Sequence, residues 1–352
     1  MPWWAWTWQV LALVIMGVHT ILGPAFPIAV AEGVALVGTV FAAVYHAEVV
    51  AHRVGEPFGS LVLAVAVTII EVALIVSMMV AGGADHGLAR DTVFAAVMIV
   101  CNGIVGLCLL AGGLRHREQV FQLQGAQAAL SVIIPLTTLT MVLPNVTSTT
   151  IGPTFSASQL VFVAVVSLIL YGSFLFVQTV RHRGYFLPEG GEETAHAPPP
   201  SNRPALLSTG LLFVSLVLVV ALAKMLTPAV ERVIARVGAP RSVVGIVIAG
   251  LVLLPEGLAA YRAAKANRLQ TSMNLALGSV LASIGLTIPA VASVAILFNR
   301  PLTLGLGTKE ELLLALTLIV SLLTVGTGRT TVLQGIVHLV VFAVFLFLSV
   351  VP

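Results

Sequence analysis

The sequence predicts an all-α polytopic membrane protein, and three observations carry that prediction. The first is composition. Of 352 residues, 59% are hydrophobic and only 9% are charged, against roughly 25% charged in a soluble domain. The second is spacing. About eleven apolar stretches follow one another, most of them close to the ~20 residues a helix needs to cross the hydrocarbon, with Pro, Gly and charge at the breaks. The third is a duplication. Arg53-Val54-Gly55-Glu56-Pro57 introduces a run ending in Thr68-Ile69-Ile70-Glu71, and Arg236-Val237-Gly238-Ala239-Pro240 introduces one ending in Leu253-Leu254-Pro255-Glu256.

The apolar stretches lie near residues 5–22, 28–50, 58–80, 92–112, 127–143, 157–180, 205–227, 242–260, 272–297, 310–327 and 331–351. The first opens with Trp3, Trp4, Trp6 and Trp8 and lacks a basic leader. It reads as a retained helix with an interfacial aromatic belt rather than a cleaved signal. Cys101 and Cys108 fall seven apart on one face of the fourth stretch, without a CxxC or zinc spacing, and read as small packing residues. Between Arg181 and Pro204 the chain is polar, with Glu189, Glu192, Glu193 and Pro198-Pro199-Pro200, as in a flexible acidic connector.

The duplication divides the chain further. Glu71 and Glu256 are 185 residues apart and the Arg-Val-Gly copies 183, so the two runs differ by a small insertion. The division is an extra first helix (1–26), a five-helix repeat (27–180), the connector (181–204) and a second five-helix repeat (205–352). An odd number of helices per repeat forces the copies into opposite orientations, the inverted-repeat plan of secondary transporters. Net charge is +3 and the basic residues are scattered over loops, which argues against nucleic acid as a partner. With the N-terminus inside, ten Lys and Arg fall on the inner side and seven on the outer. That bias favours a cytoplasmic N-terminus and connector and an outer C-terminus.

Glu71 and Glu256 are the residues most expected to carry chemistry. A carboxylate at bilayer depth costs a few kcal/mol and is rarely there without a task. Hard cations take oxygen ligands, and two carboxylates neutralise one divalent ion. Without the ion, two such groups in a poorly solvated place should take up protons, so one site would hold cation or protons in turn. Pro255 removes the helix donor beside Glu256 and frees a carbonyl one turn earlier as a further ligand. Asn102, followed by Gly103, lies on the helix after the first glutamate. Asn274, Gly278, Ser279 and Ser283 lie on the helix after the second, with the serines four apart on one face. These polar groups either line the site or simply bond between helices. Glu32 is a candidate for a vestibule or proton path. Glu48 and His46, near a helix end, are expected to face water, and His338 reads as a hydrogen-bonded packing residue. An intramembrane hydrolase is disfavoured, since the sequence has no Asp pair, nucleophile elbow or HExxH motif. A passive channel is disfavoured by one chain with an inverted repeat. No cofactor is expected.

The segments just read resemble prokaryotic ChaA-type calcium/proton antiporters, of the cation/proton exchanger branch of the calcium/cation antiporter superfamily. Gly55-Glu56-Pro57-Phe58-Gly59-Ser60-Leu61, Ile70-Glu71-Val72 and Arg90-Asp91-Thr92 carry the resemblance in the first half. Leu254-Pro255-Glu256-Gly257-Leu258 and Met273-Asn274-Leu275-Ala276-Leu277-Gly278-Ser279-Val280-Leu281-Ala282 carry it in the second. The resemblance implies eleven helices, an acidic cytosolic connector, an essential glutamate on the second helix of each repeat at Glu71 and Glu256, and site roles for Asn102 and Gly278-Ser279. It also implies proton-driven export of Ca²⁺ from a prokaryotic cell across the inner membrane. Relatives often place Gly-Asn-Ala before each glutamate. Here Thr68-Ile69-Ile70 and Leu253-Leu254-Pro255 stand instead, which implies fewer amide ligands and makes Na⁺ or K⁺ an alternative cargo.

Overall fold

A computed structural model describes residues 1–55, 58–80, 87–150, 152–187, 201–238, 240 and 242–351. Glu56, Pro57, Ala239 and residues 188–200 of the expected connector lie outside the described residues.

Every apolar stretch is helical. The helices are α1 (Trp4–Leu22), α2 (Phe26–Val54), α3 (Phe58–Val80), α4 (Leu88–Met98), α5 (Val105–His116), α6 (Leu123–Thr137), α7 (Ala157–Phe176), α8 (Asn202–Val237), α9 (Ser242–Lys265), α10 (Leu269–Leu297), α11 (Thr308–Val325) and α12 (Val332–Val350). A π turn, Ile99–Ile104, joins α4 to α5 without a break, and further π turns extend α6 and α7. Among the described residues, nine helical segments are long and apolar enough to cross a membrane, with Leu88–His116 counted as one. Such runs become helices because hydrocarbon offers the backbone no partner, and only an intrasegment ladder satisfies every N–H and C=O. Side chains set several ends. Ser156 with Gln159 and Thr331 with Gln334 form capping boxes at α7 and α12. Gly238 ends α8 at φ 72°, a left-handed conformation that a side chain would strain.

The chain forms two compact units, each drawing on both halves of the sequence. One comprises Met1–Gly83 and Glu193–Val244, the other Ala84–Glu192 and Gly245–Pro352. In the first, α2 packs along α8, with α1 and α3 against both. Gly38 lets the Trp8 ring lie on the α2 backbone, where any Cβ would collide with it. Gln9 Nε2 of α1 donates to Leu211 O (3.1 Å) and Ser215 Oγ (2.7 Å) of α8. Trp3 and Trp6 face outward, as an interfacial belt requires. Glu48 is exposed. His46 is not. It is fully buried, its ring bonded to Ala5 O (3.0 Å) and Ser208 Oγ (3.3 Å), because α1 and α8 close over that face of α2.

In the second unit α10 is central, packed by α4, α5, α6 and α7. Cys101 and Cys108 are buried thiols in its interior. Its loops gather at two ends. At one, the two-residue strands β1 (Gln119–Val120) and β2 (Arg329–Thr330) pair antiparallel. There Gln119 donates to Ala264 O and Asn267 Oδ1 (2.9 Å each), and Gln270 reaches Tyr185 O (3.4 Å). At the other, Arg90 pairs with Asp91 (2.8 Å) and donates to Gly305 O (3.2 Å), while Asn145 bonds Leu306 O and Glu311.

Candidate functional site

Glu71 lies in the first unit near the middle of α3. The buried side of that helix is Val67, Thr68, Ile70, Glu71, Leu74 and Ile75, while Val65 and Ile69 are exposed. This is the i, i+3, i+4, i+7 stripe of a helix facing its neighbours. Glu71 is 3% exposed, a carboxylate on the buried stripe of an apolar helix. Thr68, one turn earlier, is buried beside it on the same stripe, and neither side chain is without a partner.

Glu256 lies in the second unit, half-buried in the middle of α9. Ser279 Oγ of α10 donates to Glu256 Oε2 at 3.2 Å. The sequence-predicted serine and glutamate are thus brought together, and Ser283 follows one turn along α10, 3% exposed. Pro255 sits inside α9, so the carbonyl of Leu251, four residues back, has no helix donor. On the other side of Glu256, Gly257 faces Ile104 of the π turn. A Cβ there would meet Ile104 Cδ1 at 2.9 Å, so the end of the Ile104 side chain rests on α9 at this glycine.

That π turn carries Asn102, which is fully buried. Asn102 Nδ2 donates to Thr317 Oγ1 of α11 (2.9 Å), and Asn102 Oδ1 faces His338 Nδ1 of α12 (3.3 Å). His338 Nε2 lies 2.9 Å from Thr324 Oγ1. π turns recur at functional sites because the extra residue turns side chains and carbonyls off the regular ladder. Thr317 and Thr324 went unremarked in the sequence. Their seven-residue spacing on an apolar helix was the available signal, since it puts both on one face.

Asn274 has other partners. Its Nδ2 donates to Phe186 O (2.6 Å) and its Oδ1 accepts from Gln270 (3.0 Å), which ties α10 to the turn after α7. Glu32, in the first unit, is 1% exposed and bonded to His19 Nδ1. The pair borders a cavity of about 820 Å³ that Lys224, Glu231 and Arg232 of α8 also line. His19 too went unremarked, although the tight turn at Gly23-Pro24 folds α1 back on α2 and brings the pair together. Among the described residues no three His, Cys, Asp or Glu side chains cluster as a metal cage. A cation at Glu256 would therefore rely on neutral oxygens such as Ser279 Oγ and a freed carbonyl beside the carboxylate.

Residues 11–180 and 207–351 match the sodium/calcium exchanger protein family. The chain is 49% identical over 358 residues to a putative ionic transporter, y4hA, of Sinorhizobium fredii, covering 100% of this chain and 97% of that one. It is 36% identical over 344 residues to the sodium-potassium/proton antiporter ChaA of Escherichia coli, covering 96% and 93%. The solved structure of native YfkE shares the fold, with a TM-score of 0.76 at 18% identity over 99% of this chain and 100% of that one.

Proposed function

This chain belongs to the sodium/calcium exchanger protein family, and we propose that it is a cation/proton antiporter in which Glu71 and Glu256 bind Ca²⁺ or protons in turn. The carrying observation is that two carboxylates stand at matching places in a duplicated segment, each midway along a long apolar helix. A charge so placed must be neutralised, and a divalent cation or two protons do so equally. The two loads exclude one another, and that exclusion couples their flows. Ser279 steadies the ionised form of Glu256 by donating a hydrogen bond. Asn102 holds the π turn, Ser283 continues the Ser279 face of α10 one turn on, and Asn274, its amide taken up by Phe186 O and Gln270, braces that helix from the turn after α7. Glu32, bonded to His19 on a charged cavity, is a proton path.

The proposed architecture is an extra first helix followed by two inverted five-helix repeats, residues 27–180 and 205–352, in eleven crossings. It works by alternating access in a prokaryotic inner membrane, with the N-terminus cytoplasmic. No covalent chemistry and no resident cofactor are needed, because the work is done by the cation and proton gradients.

A second reading is Na⁺ or K⁺ in place of Ca²⁺. It is favoured by the 36% identity to a sodium-potassium/proton antiporter and by the scarcity of amide ligands before either glutamate. The test is cation-dependent pH change in sealed everted vesicles, with Ca²⁺, Na⁺ and K⁺ compared. Exchange should need the countergradient and should vanish in Glu71→Gln and in Glu256→Gln, with both variants still inserted and folded. Cation flux that ignores the proton gradient, or near-normal exchange in both variants, sinks the proposal.

A further inference from the structure

We propose that His338 is a positioning residue for the cation site. As the Nδ1–H tautomer it fixes the Asn102 side chain, and with it the π turn that packs beside Glu256. The assignment follows from counting donors and acceptors. Thr317 Oγ1 lies 2.8 Å from Leu313 O and 3.4 Å from Met98 Sδ, so its one hydrogen is directed at those acceptors. It therefore accepts from Asn102 Nδ2 at 2.9 Å. This fixes which way the amide points, with Asn102 Oδ1 toward His338. A carbonyl oxygen only accepts, so the ring nitrogen 3.3 Å away, Nδ1, carries the hydrogen, and the backbone carbonyl of Cys101, in the same π turn, also accepts from the ring. In the neutral ring Nε2 is then the acceptor, and Thr324 Oγ1 donates to it at 2.9 Å. One directed chain results, running Thr324 to His338 to Asn102 to Thr317 to Leu313, with all four side chains at most 4% exposed.

Packing converts this chain into a positional constraint. Gly106 and Gly103 admit α12 against the π turn, since a Cβ would meet His338 Cβ at 3.1 Å and the Phe342 ring at 3.2 Å. On its other side the turn meets α9 at Gly257, next to Glu256, through Ile104. The π turn is bonded to His338 on one side and touches the glutamate helix through the Ile104 side chain on the other. Loss of the Nδ1–H donor leaves a buried amide oxygen without its partner, and the turn must shift to satisfy it. The effect reaches cation binding through Glu256 and Ser279, so the inference rests on the proposed antiport for its consequence but not for its geometry.

The test has two arms. In the first, protein carrying ¹⁵N-histidine is measured in bilayers by solid-state NMR, with the His338 signals identified by their loss in His338→Asn. A pyrrole-type Nδ1 and a pyridine-type Nε2 are expected, with Nδ1 moving in Asn102→Ala. An Nε2–H tautomer, an imidazolium, or no response to Asn102→Ala overturns the proposal whether or not the protein exchanges cations. In the second arm, cation affinity is read by calorimetry and from the KM and kcat of exchange. His338→Gln places its amide at the Nε2 position and loses the bond to Asn102. It should weaken affinity about five- to tenfold, the worth of one buried hydrogen bond, with kcat little changed. His338→Asn returns a donor at the Nδ1 position and should recover most of the loss. In an Asn102→Ala background His338→Gln should add nothing further. Equal losses in both backgrounds, or no recovery by Asn, overturn the proposal. A parental protein that neither binds nor exchanges cations removes the proposed function, while the NMR arm still decides the tautomer.

Discussion

At the scale of single residues, the hydrogen bond from Ser279 to Glu256 is the most direct handle on the site. Ser279→Ala removes the donor and leaves the half-buried carboxylate one bond poorer. Apparent cation affinity should fall about fivefold, and Ser279→Thr, which keeps the hydroxyl, should restore it. Calorimetry on the three proteins checks this. Equal affinities would mean that the serine is a packing residue. Glu71 and Glu256 could be read from the sequence because a charge in an apolar run is costly enough to demand a reason. Ser279 was legible for a related cause, lying on the next helix in a duplicated context. The polar residues around them were less so. Asn274 shares a helix with Ser279, yet its amide is taken up by Phe186 O and Gln270. His46 and Glu48 are two residues apart and face opposite ways, one buried and one exposed. Sequence gives the cost of a buried polar group, but its partners come from other helices and are visible only once those are placed.

At the scale of elements, the apolar stretches gave helices with ends displaced by a few residues. The largest extension is α8, which runs to Val237 rather than near 227. Its last turns hold Glu231, Arg232 and Arg236, which hydropathy discounts although the helix continues to the Gly238 cap. The π turns had no compositional trace, because an extra residue in a helical turn changes neither polarity nor period enough to show. The turn at Ile99–Ile104 nonetheless decides which side of the helix Asn102 occupies. Deleting Val105, just past that turn on the α5 side, should restore a regular helix. Each residue is worth about 100° of rotation, so Asn102 would then turn away from His338 and Thr317, or Gly106 would turn away from α12. The expected outcome is a folded, monodisperse protein whose exchange is lost. Parental exchange rates in a folded deletion variant would show that the π turn has no part in transport.

At the scale of the whole molecule, the division into two units drawn from both sequence halves was not legible. Such pairing depends on long-range contacts that leave no local pattern. It does bear on the charge bias. Counted over the entire sequence, Lys and Arg favour the predicted inner side by ten to seven. Within the second unit, the end built around β1 and β2 gathers the loops bearing Arg115, Arg117, Arg181, Arg183, Arg262, Lys265, Arg268 and Arg329. The opposite end has only Arg90, Arg300 and Lys309, beside Asp91, Glu310 and Glu311. Short basic loops are retained on the cytoplasmic side, so the β1–β2 end should be cytoplasmic. The N-terminus should share that side if α1, α2, α3 and the joined α4–α5 each cross once. Single cysteines at Ala266→Cys and Pro301→Cys report on the two ends. Both positions are exposed, and the native Cys101 and Cys108 are buried and give little background. A membrane-impermeant maleimide should label Pro301→Cys in intact cells and Ala266→Cys only in everted vesicles. Labelling of Ala266→Cys from outside would invert the orientation and put the connector outside, while the direction of exchange, set by the gradients and not by the topology, would stay the same.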